Sequence, residues 1–361
     1  MKSERMRIVF IGLTVSSSWG NGHATTYRAL LRELALRGHD ILFLERDVPW
    51  YSSNRDMPTL PWCRLVYYSS LDELKQRHAE AVRDADAVIV GSFVPEGIAV
   101  GEWVLATARG ARIFYDIDTP VTLAAVAAGT CAYLNPQLIP AYDLYLSFTG
   151  GPMLRHLEKT LGARSAKPLY CSVDPADYYP ESAEKRFDMG YLGTYSDDRQ
   201  PALDELLMQP ARMWNQGKFA VAGSSYPSSI EWPSNVLRIE HLAPPEHRAF
   251  YNAQRFTLNI TREVMKVAGY SPSVRLFEAA ACGIPIISDM WPGLDEFFRP
   301  GEEIFIAHSA AESLAILRET PAEVMESVAS RARESVLAAH TGAHRAEQLE
   351  TYVHQTTMQA V

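Results

Sequence analysis

Short apolar runs of strand length alternate with segments of helical period over residues 8–161. The alternation stops across residues 166–185, which are rich in Pro, Asp and Tyr, and then begins again. Strands are expected at residues 8–13, 41–44, 87–90, 112–115 and 143–148, with helices at 25–37, 70–83, 98–108 and 152–161. The second series has strands at 187–192, 218–222, 236–239, 256–260 and 284–288 and helices at 201–208, 245–252 and 272–282. Ser70 with Glu73, Ser309 with Glu312 and Thr320 with Glu323 read as capping boxes that open helices. Strands joined by helices form parallel sheets covered on both faces, so the chain is α/β with two doubly wound domains. Ligands of such sheets bind at the C-terminal strand edges, so a cleft is expected where two such edges face each other.

Charge and composition narrow the function. Lys and Arg total 34 against 43 Asp and Glu, a net charge of -9, which opposes a nucleic-acid partner but leaves room for a local phosphate pocket. No apolar run reaches the ~20 residues of a transmembrane helix, and the basic-then-apolar start reads as a first strand. Cys63, Cys131, Cys171 and Cys282 are far apart and form no CxxC, so neither a disulfide scaffold nor a structural metal is expected. The default location is cytoplasmic.

The segment YSPSVRLFEAAACGIPIISD, residues 270–289, carries the clearest chemistry. Ser271 suits an N-cap, Pro272 the first helical position and Gly283 the residue after the helix. The amino end of such a helix attracts phosphate, Arg275 adds a full charge, and Glu278 suits the paired hydroxyls of a ribose. A capped core helix with an incidental Glu is the alternative.

Three loops of the first half follow strands. In residues 16–23, two glycines permit close backbone approach to a ligand, and His23 is a candidate base. A dinucleotide fingerprint, with Glu45 as the ribose acid, is a rival reading, although Thr25 stands where its third glycine belongs. In residues 115–120 Asp116 and Asp118 alternate, so one faces inward; Asp118 is a candidate base or sugar ligand, or a helix cap. Residues 148–152 form a Gly-Gly-Pro turn for the acceptor side or a hinge. Trp50, Tyr51 and Trp62 suit sugar stacking, or core or rim packing.

Several motifs carry a family resemblance. Residues 278–287, EAAACGIPII, with Gly293, Glu296 and the run 301–303, resemble the donor-site motif of GT-B glycosyltransferases of the retaining, sucrose-synthase-like superfamily. Residues 170–174 with Pro180 resemble its interdomain element. WGNGH at 19–23, GTYSDDR at 193–199, LNITR at 258–262, RLFE at 275–278 and HTGAHR at 340–345 resemble the spore-maturation (CgeB-like) group. The resemblance implies two Rossmann-like domains, residues 1–168 on the acceptor side and 169–340 on the donor side, with a helix in 341–361 crossing back to the first. It implies a hexosyltransferase that moves a sugar from a UDP-, GDP- or dTDP-linked donor to a glycan, protein or small molecule, with no metal and no other cofactor. Glu278 would hold the ribose, the amides near Ser273 and Val274 the distal phosphate, and Arg199, Arg262 and Arg275 the diphosphate. His241 and Leu242 would flank the base. Gly22, Tyr195, Gly223, Asn259 and Ser271 fall in the same donor set, and His23 and Asp118 would be catalytic. Tyr270 stands where the superfamily often has the first Glu of E-x7-E, which leaves the stereochemistry open. A nucleotide-sugar epimerase and a non-catalytic nucleotide-sugar binder are the alternatives.

Overall fold

The computed structural model describes residues 5–19 and 22–359. The chain divides into two compact units. One comprises the described residues up to Ser172 together with those from Gly342 onward, and the other is Val173–Thr341.

The first unit runs β1 (Arg7–Gly12), α1 (His23–Leu36), β2 (Asp40–Arg46), α2 (Pro49–Ser52), β3 (Arg64–Tyr68), α3 (Leu71–Arg83), β4 (Ala87–Gly91), α4 (Gly97–Thr107), β5 (Ala111–Asp116), α5 (Thr119–Ala127), β6 (Leu144–Ser147), α6 (Pro152–Lys159) and β7 (Ala166–Pro168). Among the described residues its strands form one parallel sheet, ordered β3-β2-β1-β4-β5-β6-β7. The central strands are apolar along their length because helices cover both faces; Val88, Val90 and Phe114 are fully buried. β3 was not expected: RLVYY sits half-buried at the sheet edge. β7 also falls in the stretch where the alternation stops. Ser70 caps α3 by accepting from the Glu73 amide at 3.1 Å, while the Glu73 carboxylate returns to the Ser69 amide at 2.8 Å.

The second unit runs β8 (Phe187–Leu192), α7 (Gln200–Leu203), a π-helical turn (Asp204–Met208), α8 (Gln209–Met213), β9 (Phe219–Ala222), β10 (Val236–Ile239), α9 (Pro244–Asn252), β11 (Gln254–Asn259), α10 (Glu263–Ala268), α11 (Val274–Ala281), β12 (Ile286–Ser288), β13 (Phe305–Ile306), α12 (Ala310–Glu319) and α13 (Ala322–Ala339). Its strands are parallel in the order β10-β9-β8-β11-β12-β13. Two expected helix starts move. α11 begins at Val274, capped by Ser273 and not by Ser271, and α13 begins after Pro321, with Thr320 ending α12.

The last helix, α14 (Gly342–Gln359), belongs to the first unit and packs on α1. Its Glu350 accepts from Nε and Nη2 of Arg37, both at 2.6 Å, and pairs with Nε2 of His39 at 2.5 Å. Arg345 is buried and donates through Nε to the Tyr170 carbonyl at 3.1 Å. No helix among the described residues is long and apolar enough to cross a membrane.

Candidate active site

The second sheet reverses its strand order between β8 and β11, which makes the C-terminal ends of these two strands its topological switch point. Arg275 occupies that point. Its Nε donates to the carbonyl of Leu192, the last residue of β8, and its Nη1 donates to Oδ1 of Asn259, the last residue of β11, at 3.0 Å. The guanidinium lies over the Tyr191 ring, 4.8 Å from its centroid. Asn259 in turn donates through Nδ2 to Oγ of Ser288, the end of β12, at 3.0 Å. One guanidinium and one amide thus hold three strand ends in register, and Arg275 is 8% exposed. Among the described residues its Nη2 makes no hydrogen bond.

α11 starts at this place. Oγ of Ser273 accepts from the Arg275 amide at 3.3 Å, and the Val274 amide has no partner among the described residues, so one N–H of the first turn is available to an anion. Glu278, one turn on, is 4% exposed and accepts from the Tyr251 hydroxyl through Oε2 at 2.9 Å. Tyr178 lies by the same carboxylate. Burial first, and the Glu278 charge second, hold both phenols well above the ordinary tyrosine range. Ser271 falls outside the helix, and its hydroxyl donates to the Gly269 carbonyl at 3.1 Å. The turn before it is tight, with Gly269 and Tyr270 both at positive φ, +66° and +51°. The Tyr270 amide is tied to the Pro292 carbonyl at 2.7 Å.

Two more guanidinium groups are in the same unit. Arg199 donates through Nη2 to the Thr194 carbonyl at 2.6 Å, and Arg262 approaches Asp198 at 3.5 Å. Arg262 is therefore already paired, which the sequence did not reveal. Burial alone would raise Asp198; Ser196, Arg262 and Arg199 together hold its carboxyl below the usual range. Among the described residues the buried Nε of Arg199 has no hydrogen-bond partner, and such a donor calls for one; the Nε of Arg262 is the atom that faces Asp198. Gly193 and Gly223 press backbone on backbone: a Cβ on Gly223, whose φ is +147°, would lie 2.0 Å from the Gly193 carbonyl oxygen. Tyr226 donates to that same oxygen at 3.0 Å. Tyr195 stacks edge-on to Tyr226 and donates to Asp197 at 2.5 Å. His241 is exposed and Leu242 half-buried in the loop after β10; the Leu242 carbonyl is 3.1 Å from Nε2 of His247.

The first sheet reverses between β1 and β4. His23 opens α1 after the β1 loop, and Nε2 of His23 lies 3.5 Å from Oδ2 of Asp118, which follows β5. The imidazole is 8% exposed and the carboxylate 30%. The His23 ring meets Phe93, from the loop after β4, edge-on at 5.4 Å. Asp118 sits at the N-cap of α5 but makes no side-chain cap bond, so its carboxylate is turned to His23. Asp116 is the inward member of the pair. It accepts from Tyr145 at 2.5 Å and Thr122 at 2.7 Å. Burial, with the Asp118 charge adding to it, pushes the Asp116 carboxyl up to about 6. Gly22 is the N-cap of α1 and belongs to this unit, while Gly20 and Asn21 lie outside the described residues.

Glu45 excludes the ribose role of the dinucleotide reading. Its carboxylate is fully buried and accepts from the amides of Val15 and Ser16, at 2.7 and 3.0 Å, and from the hydroxyls of Thr14 and Ser16. A carboxylate consumed by its own loop has no capacity left for ribose. Among the described residues, no cluster of three His, Cys, Asp or Glu side chains is placed to hold a metal ion.

Comparison with known proteins decides the architecture. Sucrose-phosphate synthase from Thermosynechococcus elongatus matches with a TM-score of 0.71 at 14% identity, over 98% of this chain and 100% of that one. The fold is GT-B. Anabaena HepE in complex with UDP and glucose gives 0.72 at 13% identity, over 97% of this chain and 100% of its own. An alpha-glucosyltransferase in complex with UDP-glucose and DNA gives 0.73 at 12% identity, with the same coverage of both chains. Residues 199–351 match the family described as glycosyl transferase-like, so the GT-B chain carries a glycosyltransferase-like domain there. No curated protein matches the sequence.

Proposed function

We propose that this protein is a glycosyltransferase of the CgeB-like group that takes its sugar from a nucleoside-diphosphate donor, with UDP the first base to test. The observation that carries the reading is Arg275 at the second switch point, one turn before a buried Glu278 on the same helix. The diphosphate would meet Arg275, Arg199 and the free amide of Val274, and the ribose hydroxyls would donate to Glu278. HepE and the alpha-glucosyltransferase, both of GT-B architecture, bind UDP or UDP-glucose, which supports that choice of base.

In the transfer, an acceptor hydroxyl attacks the anomeric carbon, the bond from that carbon to the diphosphate oxygen breaks, and the acceptor proton leaves to a base. Negative charge grows on the departing diphosphate, where fixed cations and the α11 amide lower the barrier most. These groups replace a metal in the proposed scheme. Asp118 is the proposed base because its carboxylate is the more accessible of the pair, and His23 fixes its direction. Calorimetry with UDP, GDP and dTDP tests the donor assignment: one of them binds, and Arg199→Ala and Glu278→Ala both weaken it. Unchanged affinity in both variants removes the reading. Incubation with the matching nucleotide sugar and an acceptor panel then reports transfer, and the anomeric proton of the product reports stereochemistry.

A further inference from the structure

The segment after β2 has no role in the scheme above. α2 carries Trp50, the most exposed aromatic side chain of the described residues at 62%. The indole stands on a fixed base. Asn54 donates through Nδ2 to the Trp50 carbonyl at 2.8 Å, and Ser53 donates to the Pro49 carbonyl at 2.8 Å. The residues that follow are laced to the β1 loop. The Met57 amide donates to the Ser16 carbonyl at 3.0 Å, Ser17 donates to the Asn54 carbonyl at 2.8 Å, and the Ser18 amide donates to Asp56 at 2.9 Å. Buried Arg28 clamps Asp56 with two bonds at 2.8 and 2.9 Å. The β1 loop leads into α1, which begins at His23.

Hydrogen-bonding groups flank the indole in sequence. Asp47 pairs with Arg55 at 2.7 Å, and the Arg55 guanidinium lies 3.8 Å from the centroid of the Tyr67 ring. An exposed indole on a hydrogen-bonded turn of backbone offers a flat apolar surface, and the Asp47 carboxylate, 45% exposed beside its ion pair, keeps acceptor capacity for directional polar contacts. This combination matches a sugar ring, which has one C–H face and a rim of hydroxyls. The rival occupants fit less well. The net charge of -9 opposes an anionic bilayer. A single indole is far smaller than the apolar patch of a protein interface.

We propose that the segment from Asp47 to Asp56 is a carbohydrate subsite, that Trp50 is its stacking platform, and that the acceptor of this enzyme is itself a neutral glycan. Only the word acceptor rests on the sugar-transfer reading; the binding claim stands apart from it.

Saturation-transfer NMR on the full chain tests it, with methyl glycosides of glucose, galactose, mannose and N-acetylglucosamine and their disaccharides as probes. The expected result is saturation of the C–H protons on one ring face of at least one probe. Trp50→Ala weakens that binding about tenfold or more and Trp50→Phe keeps most of it. Asp47→Asn alters which probe is preferred. UDP affinity and the thermal midpoint are measured on the same samples, so a folding defect is visible. No binding across the panel, or equal binding by wild type and Trp50→Ala, overturns the subsite. Co-sedimentation with phosphatidylglycerol vesicles that Trp50→Ala abolishes also overturns it, in favour of a membrane contact. Failure of UDP, GDP and dTDP alike to bind while the glycosides bind through Trp50 defeats the donor reading alone.

Discussion

Nη1 of Arg275 donates to Oδ1 of Asn259 at 3.0 Å, across the gap where the second sheet changes direction. The same side chain reaches the end of β8, so it has two jobs: tying strand ends and presenting charge. Lysine keeps the charge and loses the fork. Arg275→Lys is therefore expected to lower stability by about 1–3 kcal/mol in urea unfolding, because the Asn259 amide oxygen loses a buried donor. Arg199 makes one hydrogen bond to a carbonyl, and Arg199→Ala should lower UDP affinity with a smaller stability loss. The reverse ranking would contradict the assignment.

Glu278 and the diphosphate site are separable by ligand. Loss of a carboxylate that accepts from ribose costs about 1.5–3 kcal/mol, roughly tenfold to hundredfold in affinity. Glu278→Ala should show this deficit for UDP in calorimetry and no deficit for inorganic pyrophosphate. An equal loss for both ligands would place Glu278 in a structural role.

Asp118→Asn is expected to lower kcat by about 10²–10⁴-fold while UDP affinity stays as in the wild type. His23→Ala should fall less, because the imidazole directs the carboxylate and does not replace it. Single-turnover rates with saturating donor and acceptor check the order. A larger effect of His23 would exchange the two roles.

Asp116 gives a stability signature with a defined sign. Its carboxyl is held at about 6 in the fold against 3.8 for the ordinary group, so the folded state holds a proton that the unfolded chain releases. Stability contributed by this group is full below about pH 4, falls as pH rises to about 6, and is level above that, a total of about 3 kcal/mol. Asp116→Asn removes the titration. Urea unfolding from pH 4 to 8 should show the wild type losing stability relative to the variant as pH rises through this window. A constant difference would show that Asp116 is ionised throughout.

The alternation of strand and helix was legible because a covered parallel sheet demands unbroken apolar runs, and Ala87–Gly91 and Phe219–Ala222 fall where those runs lie. β3 escaped notice because its short run, LVYY, directly follows a loop containing Pro58 and Pro61 and stands half-buried at the sheet edge. The start of α11 was ambiguous in kind: Ser271 and Ser273 are both good caps, but the Ser271 hydroxyl turns back to the Gly269 carbonyl and Ser273 accepts from the Arg275 amide. Asp116 and Asp118 were readable as one inward and one outward residue, but not the hydroxyls of Tyr145 and Thr122 that meet the inward one. Arg275 and Asn259 are 16 positions apart, and no local pattern links them. Arg262 had the right charge at the right strand end, yet Asp198 reaches it first.

The contact of Gly193 with Gly223 limits how the C-terminal unit can be re-engineered. Any side chain on Gly223 collides with main chain, and one on Gly193 runs into the Tyr191 hydroxyl and Arg275. Gly223 offers no mutational latitude and a side chain on Gly193 must displace Tyr191 or Arg275, so mutant libraries seeking altered nucleotide preference should spare both glycines and diversify exposed loop positions such as His241.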